Sequence, residues 1–334
     1  MNFWDFSSWG FFNLKAVLLG SLLIAQMLKR SIPLLEASLI PTSVLGGGVL
    51  LAISAIFKAI TGEEFFDTAF FGNNGSSWLE LVTYHTLALG FTASALKSSG
   101  SKMTRERNAE IFNTGLTTVA TYLLQAFVGM IICILFHMIL PELLEAAGLL
   151  LALGYGQGPG QAMNYGGIYE LDYGFVGGKS FGLTVASMGF ICASIGGVFY
   201  LNVLKRQGKI NLDKGSGTMN EQVEGKNEIP MQESIDKFTI QIALIVVAYM
   251  LAYAMMYGLG CLLPGMRATI YGFNFLLGVL AGSLVKTVLN ACNKRNIIHR
   301  NYTNDFLLTR ATNNFNEIMV TASIAAIRMD IIAK

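Results

Sequence analysis

Long runs without a single charged side chain constrain this sequence most. Five runs contain no Asp, Glu, Lys or Arg: residues 37–57, 111–141, 181–204, 238–266 and 268–285. A helix rising about 1.5 Å per residue needs about 20 residues to cross a hydrocarbon core of about 30 Å. One charge at the bilayer centre costs about 2.5–3.5 kcal/mol on insertion scales, so these runs predict membrane-spanning helices. Charged residues make up only 13% of the chain, against about 25% in soluble domains. We therefore predict an all-α integral membrane protein.

Eight full spans are expected from these runs and their flanks. They are residues 11–28, 39–58, 78–97, 112–139, 182–204, 238–260, 271–289 and 309–330. A ninth apolar segment, residues 146–169, is rich in glycine and is interpreted separately. A chain with this many spans is predicted to be a multi-pass membrane protein.

The distribution of Lys and Arg between the loops predicts the orientation. Basic residues follow the first, third, fifth and seventh spans: Lys29, Arg30, Lys97, Lys102, Arg105, Arg107, Lys205, Arg206, Lys209, Lys294, Arg295 and Arg300. The loops after the second and fourth spans are acidic: they contain Glu63, Glu64, Asp67, Glu142 and Glu145. Because cytoplasmic loops carry an excess of Lys and Arg, we expect the N-terminus outside the inner (cytoplasmic) membrane.

The same rule decides how residues 146–169 enter the membrane. The chain is outside after the fourth span, so a full crossing would leave Lys205, Arg206 and Lys209 on the outer face. If the segment enters and returns to the same side, these residues finish inside, as the rule requires. We therefore predict that residues 146–169 form a re-entrant hairpin.

The chain divides into two membrane segments and a linker. Residues 205–237 are polar, of mixed charge and contain Gly215-Ser216-Gly217, which is typical of a linker without a fold of its own. We expect this linker in the cytoplasm. It separates a first membrane repeat, residues 1–204 with five spans and the hairpin, from residues 238–334 with three spans.

The two membrane segments echo each other in sequence. Gly48-Val49-Leu50 recurs as Gly278-Val279-Leu280 at an offset of 230, and Thr92-Ala93-Ser94 recurs as Thr321-Ala322-Ser323 at an offset of 229. The first half starts outside and the second inside, so the repeat is predicted to be inverted, as in many secondary transporters. The counterpart of Gly154 would lie beyond Lys334. The second repeat is thus expected to be partial, or truncated, and short of its full length by about 100 residues.

The centre of the hairpin carries the chemistry. Its sequence from Leu153 to Asn164 alternates four glycines: Gly154, Gly156, Gly158 and Gly160. Glycine and proline disfavour helix interiors, and non-helical backbone at membrane depth is buried in protein or lines a cavity. Pro159 suits the first turn of a helix that restarts near 160–169, whose free N–H groups would bind an anion.

Further groups at this break would serve a cation and a polar substrate. The backbone carbonyls of Gly156 and Gly158 are candidate ligands for Na⁺. Gln157, Gln161 and Asn164 add neutral donors and acceptors. The alternative is a glycine-rich packing crossover with no ligand, since glycine is common in membrane helices.

Polar residues elsewhere in the spans are fewer. Thr92 and Ser94, with Thr321 and Ser323, occupy equivalent points of the two halves and are candidates for substrate or ion binding, although such side chains often bond to their own backbone. His85, His137 and Glu317 admit either a proton- or cation-linked role or ordinary hydrogen bonding at a helix. Small residues recur on one face of the fifth span and in the seventh, which favours close helix packing: Gly182, Ala186, Gly189, Ala193, Gly196, Gly278 and Gly282.

The chain resembles the sodium/glutamate symporter family (glutamate:Na⁺ symporters). The resemblance is carried by four stretches and covers most of the chain: Ile40–Gly47, Gly154–Ala162, Phe181–Ala186 and Ala322–Ile327. The family's first loop commonly has the form Gly-Gly-His-Gly-Thr-Gly. Here Gln157 stands at the position of the His and Pro159 at that of the Thr.

The resemblance implies two inverted halves of five spans each, one re-entrant loop per half, and a homodimer. It also implies sodium-coupled symport of glutamate or a related small carboxylate or amino acid, with Na⁺ as coupling ion and no other cofactor. We expect membrane lipid but no nucleic acid as a further partner. The alternatives are a symporter or antiporter of another organic anion and a transport-inactive fragment. A membrane enzyme is not expected, because the sequence lacks the HExxH and G-x-S-x-G motifs.

Overall fold

The computed structural model describes residues 4–33, 35, 40–97, 104–208, 236–298 and 300–329. Of this part of the chain 84% is helical, and none of it is strand. Its eleven α-helices are α1 (Phe6–Ser31), α2 (Thr42–Thr61), α3 (Gly75–Leu96), α4 (Arg105–His137), α5 (Leu150–Gly156), α6 (Pro159–Tyr173), α7 (Gly178–Arg206), α8 (Lys237–Leu262), α9 (Arg267–Gly272), α10 (Asn274–Lys294) and α11 (Asp305–Ala325). Short 3₁₀ turns cover Phe65–Asp67, Ala69–Phe71, Glu145–Leu149 and Pro264–Met266.

Among the described residues, six helices are long and apolar enough to cross a membrane. They lie at Ser8–Ser31, Thr42–Thr61, Arg105–His137, Gly178–Leu201, Lys237–Leu262 and Asn274–Lys294. The prediction of an all-α chain of membrane-spanning type is thereby confirmed. The two other expected spans, 78–97 and 309–330, do form helices as α3 and α11. These helices are less apolar than the six because they carry side chains such as Glu80 and Asn313.

The helices group into two compact units by spatial contact. Unit 1 comprises Met1–Tyr84, Thr104–Asp213 and Glu317–Lys334, and unit 2 comprises His85–Met103 and Lys214–Asn316. The boundaries between these units fall inside α3 and α11. The predicted sequence repeats, in contrast, are separated by the linker at 205–237, so the spatial units do not coincide with the predicted repeats. Residues 209–235 of the predicted linker lie outside the described residues, and α7 continues to Arg206.

Unit 1 has an apolar core at the ends of α1, α2, α3 and α11. Its buried members are Leu14, Leu18, Leu50, Phe66, Phe71, Leu79, Ala322 and Ala325. Phe65 and Phe71 stack edge to face with ring centroids 5.3 Å apart in the loop between α2 and α3. Gly10 is required beside this loop, since a Cβ there would lie 2.7 Å from the Phe71 carbonyl carbon.

Unit 2 is stabilised by two apolar clusters and by one group of hydrogen bonds around the buried Gln241 side chain. The clusters are Ala93, Leu96, Ile245, Leu308 and Ala311, and Ala252, Met256, Ile270, Leu277 and Ala281. The Gln241 side chain donates through Nε2 to the Tyr302 carbonyl (2.8 Å) and accepts through Oε1 from the Asn304 backbone N–H (3.0 Å). Asn304 in turn caps α11 by accepting from the Leu307 N–H at 2.8 Å. A polar side chain of α8 therefore fixes where α11 begins.

Candidate functional site

The predicted helix break lies between α5 and α6. Gly158 adopts φ +91° and ψ −177°, a conformation that side chains rarely permit. Pro159 occupies the first turn of α6, where its missing N–H costs nothing. The prediction of a break with a helix restarting at Pro159 is therefore confirmed. The re-entrant path of residues 146–169 stays a prediction.

The N-terminus of α6 is buried, and its N-cap residue, Gly158, has no side chain with which to cap it. Pro159, Gly160, Gln161 and Ala162 are all buried, with Gln161 only 1% exposed. The first N–H groups of a helix find no partner within the helix and carry its positive dipole end. This end of α6 is therefore suited to an anionic group.

The break packs against α4 at Tyr122. The Tyr122 hydroxyl donates to the Gly156 carbonyl at 2.8 Å, and any Cβ at Gly156 would overlap the Tyr122 ring. Further along α4, Gly129 and Gly148 approach so closely that neither position has room for a Cβ. Residues 148–156 thus run along the face of α4 that contains Tyr122 and Gly129.

Two buried amide oxygens beside the break accept no hydrogen bond from the described residues. They are Oε1 of Gln125 on α4 and Oε1 of Gln157 in the break. Gln125 lies between Tyr122 and Gly129 in the sequence, and the spacings of 3 and 4 residues put all three on one helical face. Leaving a buried acceptor unsatisfied costs about 1–3 kcal/mol. Both oxygens are therefore suited to a ligand that donates hydrogen bonds or carries positive charge.

Tyr122 and Gln125 were not predicted as site residues from the sequence. They stand inside the charge-free run 111–141, which was interpreted only as a span. A signal was present, because Tyr122, Gln125 and Gly129 repeat at the period of one helix face within an otherwise apolar stretch.

The small residues of α7 pack against both sides of the break. A Cβ at Gly182 would overlap the Ala162 carbonyl of α6, and one at Gly154 of α5 would lie 3.0 Å from the Ala186 backbone nitrogen. Gly189 lies close to the Tyr155 ring: a Cβ added at Gly189 would lie 3.2 Å from Cγ of Tyr155. Close packing is thereby confirmed for Gly182, Ala186 and Gly189. It does not extend along the whole stripe, because Ala193 is exposed and a Cβ at Gly196 would have open space.

The paired Thr and Ser residues bond to backbone. Thr92 Oγ1 donates to the Ala88 carbonyl at 2.7 Å, and Ser323 Oγ to the Val320 carbonyl at 2.7 Å. Thr321 Oγ1 donates to the Glu317 carbonyl (2.9 Å) and the Ser43 carbonyl (3.2 Å). Ser94 is exposed. Thr321 and Ser323 share unit 1 with the break, whereas Thr92 and Ser94 belong to unit 2.

The paired threonines lie at glycine contacts that match between the units. In unit 1, a Cβ at Gly47 of α2 would lie 3.0 Å from the Thr321 carbonyl oxygen and 2.6 Å from Ile324 Cβ of α11. In unit 2, a Cβ at Gly278 of α10 would lie 2.5 Å from Thr92 Oγ1 of α3, and one at Gly282 would lie 3.1 Å from Ala95 Cβ.

The two membrane histidines are hydrogen-bonded, and Glu317 is exposed. His85 Nδ1 lies 2.9 Å from the Tyr249 hydroxyl. His137 Nδ1 lies 2.8 Å from the Leu143 carbonyl, and its Nε2 is 3.8 Å from Glu145. The side chain of Glu317 is exposed. These contacts favour a structural role for both histidines.

A network of ion pairs joins four helix ends within unit 1. Lys179 at the start of α7 pairs with Glu80 near the start of α3 at 2.7 Å. Glu64, which follows α2, accepts from Lys58 and lies 2.9 Å from Arg328, which follows α11. The Arg328 backbone N–H donates to Ser180 Oγ at 3.1 Å and so links the two pairs. These helix ends therefore lie at one end of unit 1.

No family model, curated protein or solved structure matches this chain.

Proposed function

We propose that the chain is a secondary transporter that couples Na⁺ entry to uptake of glutamate or a related small carboxylate or amino acid. The observation that carries the proposal is the buried N-terminus of α6 at Gly158–Gln161, whose N-cap is a glycine, beside two buried amide oxygens that accept no hydrogen bond from the described residues. A helix end of this kind accommodates a carboxylate without a cationic side chain. Oxygen ligands such as amide and backbone carbonyls accommodate Na⁺ or the ammonium group of an amino acid.

The groups divide between substrate and cation by their charge. The N–H groups of the first turn of α6 would donate to the substrate carboxylate. Gln125 Oε1, Gln157 Oε1 and the glycine carbonyls of the break would face positive charge. Because each amide oxygen is buried and unsatisfied when no ligand is bound, a bound cation would relieve a cost of about 1–3 kcal/mol per oxygen. This difference between the empty and bound states would favour joint binding of substrate and ion.

The ion pairs of unit 1 support a re-entrant path for residues 146–169. The charge rule places the starts of α3 and α7, the end of α2 and the end of α11 outside. Lys179 contacts Glu80, and Arg328 contacts Glu64, so all four ends come together as that topology requires. If residues 146–169 crossed the membrane, Lys179 and Glu80 would lie on opposite faces.

Contacts along α4 support a site near the middle of the membrane. Tyr122, which holds the break, lies close to the midpoint of α4, a helix that begins at Arg105 and ends at His137. Because the rise per residue is constant along a helix, the break would lie about midway across a spanning α4. Secondary transporters typically bind substrate and coupling ion at this depth, at broken helices.

The matching glycine contacts support an inverted repeat. At the level of helices, adding about 230 to the residue numbers of α2 gives α10, and subtracting it from those of α11 gives α3, so the contact of α2 with α11 corresponds to the contact of α10 with α3. The unit boundaries inside α3 and α11, at His85 and Glu317, are separated by nearly the same offset. Such exchange of partners is what a two-fold relation between halves produces.

Uptake by purified protein tests the proposal. Proteoliposomes with an imposed inward Na⁺ gradient should accumulate labelled glutamate or a competing small carboxylate, whereas an equal K⁺ gradient should not drive uptake. A panel of unlabelled dicarboxylates and amino acids, added as competitors, identifies the substrate class. Accumulation that is independent of Na⁺, or no saturable uptake of any anion in the panel, would contradict the proposal.

A further inference from the structure

A cavity in unit 2 opens between the second half of α8 and α9. Its volume is about 490 Å³, which is within the usual range for ligand pockets of about 300–1,000 Å³. Six of its lining residues are Tyr253, Tyr257, Gly260, Cys261, Arg267 and Tyr271. It thus combines three phenol rings, one guanidinium group and one thiol.

Arg267 gives this cavity a positive charge that no described residue balances. It is the only charged residue between Lys237 and Lys286 in the sequence. Its Nε donates to the Gly260 carbonyl at 3.1 Å, which aligns the guanidinium group and leaves both Nη nitrogens available. Within the part of the chain that the structure describes, Arg267 makes no ion pair. The cavity is therefore complementary to an anion.

An apolar strip runs from this cavity along the exposed face of α8. Tyr257, Tyr253, Met250 and Val246 follow one another at spacings of 4, 3 and 4 residues, the period of one helix face. Each of these side chains is between 47% and 60% exposed. The strip extends over about three turns, or about 16 Å of helix, which is close to half of a hydrocarbon core of about 30 Å.

We propose that this cavity and strip bind an anionic phospholipid from one leaflet. The Arg267 Nη groups would donate to the lipid phosphate, with the tyrosine hydroxyls as further donors, and an acyl chain would lie along the strip from Tyr257 to Val246. Tyrosine and arginine side chains are favoured at the membrane–water boundary, where such a headgroup lies. The strip is about as long as half of the hydrocarbon core, which favours a lipid, because a free anion has no acyl chain to lie along it. The site is independent of the proposed transport activity.

Cys261 makes the site measurable because its thiol is free, exposed and lines the cavity. In a chain with Cys133, Cys192 and Cys292 replaced by serine, Cys261 is the single target of N-ethylmaleimide. The full-length protein is placed in nanodiscs of phosphatidylcholine, with or without phosphatidylglycerol. We expect phosphatidylglycerol to slow alkylation about five-fold, the effect expected of one Arg beside an anionic headgroup.

Variants at Arg267 separate the site from a general effect of surface charge. Arg267→Gln should abolish the protection, and Arg267→Lys should keep most of it. A chain that retains only Cys192, which is also exposed but lies on α7 of unit 1, should react at the same rate in both lipid mixtures. Equal protection in Arg267→Gln and Arg267→Lys, or protection of Cys192 as well, would overturn the proposal.

Two further arms identify other occupants. Soluble glycerol 3-phosphate or glutamate, added to phosphatidylcholine nanodiscs, should leave the Cys261 rate unchanged. Protection by either one would show that the cavity takes a free anion and would sink the lipid assignment. Protection in phosphatidylcholine alone that grows with two protein copies per nanodisc would overturn it too, because a second copy of the chain would then cover the cavity.

Discussion

At the scale of single residues, the break between α5 and α6 depends on one glycine. Gly158 is held at φ +91° with open space around it, so a Cβ would meet no atom but would strain the backbone. Gly62, at the end of α2, has the same two properties at φ +79° and lies elsewhere in unit 1. Substitutions at Gly158 and Gly62 should therefore strain the backbone to a similar extent, but only the change at Gly158 affects the break.

The prediction for this pair concerns uptake. Gly158→Ala should cost about 1–3 kcal/mol locally and abolish substrate uptake, because the α6 N-terminus would shift. Gly62→Ala should cost a comparable amount of stability and leave uptake near normal. Both are measured as initial uptake rates in proteoliposomes, with insertion checked by recovery of folded protein. Normal uptake by Gly158→Ala would exclude the break as the site.

Gln125 and Gln157 allow a second residue-scale prediction. Replacing either one by Leu removes a buried oxygen that has no partner among the described residues, so stability without Na⁺ should stay equal or rise by about 1 kcal/mol. Na⁺ should raise the melting temperature of the unmodified protein, and this increase should be lost in both variants. A Na⁺-dependent shift that survives in both variants would contradict a cation site at these oxygens.

Gln241 supplies the matched control for this experiment. It is also a buried glutamine, but its side chain bonds to Tyr302 and Asn304. Gln241→Leu should therefore destabilise the protein by about 1–3 kcal/mol, because it removes the partner of the buried Asn304 N–H and of the part-buried Tyr302 carbonyl. It should keep the Na⁺-dependent shift.

At the scale of elements, α7 positions the break through its small residues. Gly182 leaves no room for a Cβ against α6, whereas Gly196 on the same helix has open space. Gly182→Leu should thus separate α7 from α6 and cost about 1–3 kcal/mol or more from overpacking. Gly196→Leu should be neutral. Thermal unfolding in detergent, followed by size-exclusion chromatography, measures the difference, and equal melting temperatures would contradict the packing role of Gly182.

Helix caps show how tertiary contacts override local sequence. The first residue of α11 is fixed by Asn304, and Asn304 is held by Gln241 of α8, 63 residues away. The sequence predicts a span that starts only at residue 309. The helix begins earlier than expected, at Asp305, directly after its Asn304 cap, and the contact that holds this cap comes from Gln241, outside the local sequence.

At the scale of the whole molecule, the ion pairs of unit 1 lead to a test of topology. In a cysteine-free chain, Val176→Cys and Gln207→Cys place single thiols beyond the two ends of α7, where both native residues are exposed. A membrane-impermeant thiol reagent added to intact cells should label position 176, and position 207 only after permeabilisation. The reverse pattern would show that residues 146–169 cross the membrane.

The sequence alone determined the helical class of the molecule, the position of each long helix and the place where one of them breaks. These properties follow from local composition. A helix of 20 or more residues without a charged side chain is not suited to exposure to water, and Gly158-Pro159 disfavours continuation of a helix. The glycine stripe of α7 was also predictable as far as Gly189, because its spacing puts small residues on one face.

Only the tertiary structure decided which groups meet at the break. Tyr122 and Gln125 come to it from α4, a separate and earlier helix, and the Lys179–Glu80 pair likewise joins residues far apart in the chain. No local pattern encodes such pairings, since many polar residues on a helix face are compatible with the same span. They are selected when close packing of glycines sets the separation between helices and thus which side chains come within hydrogen-bonding distance.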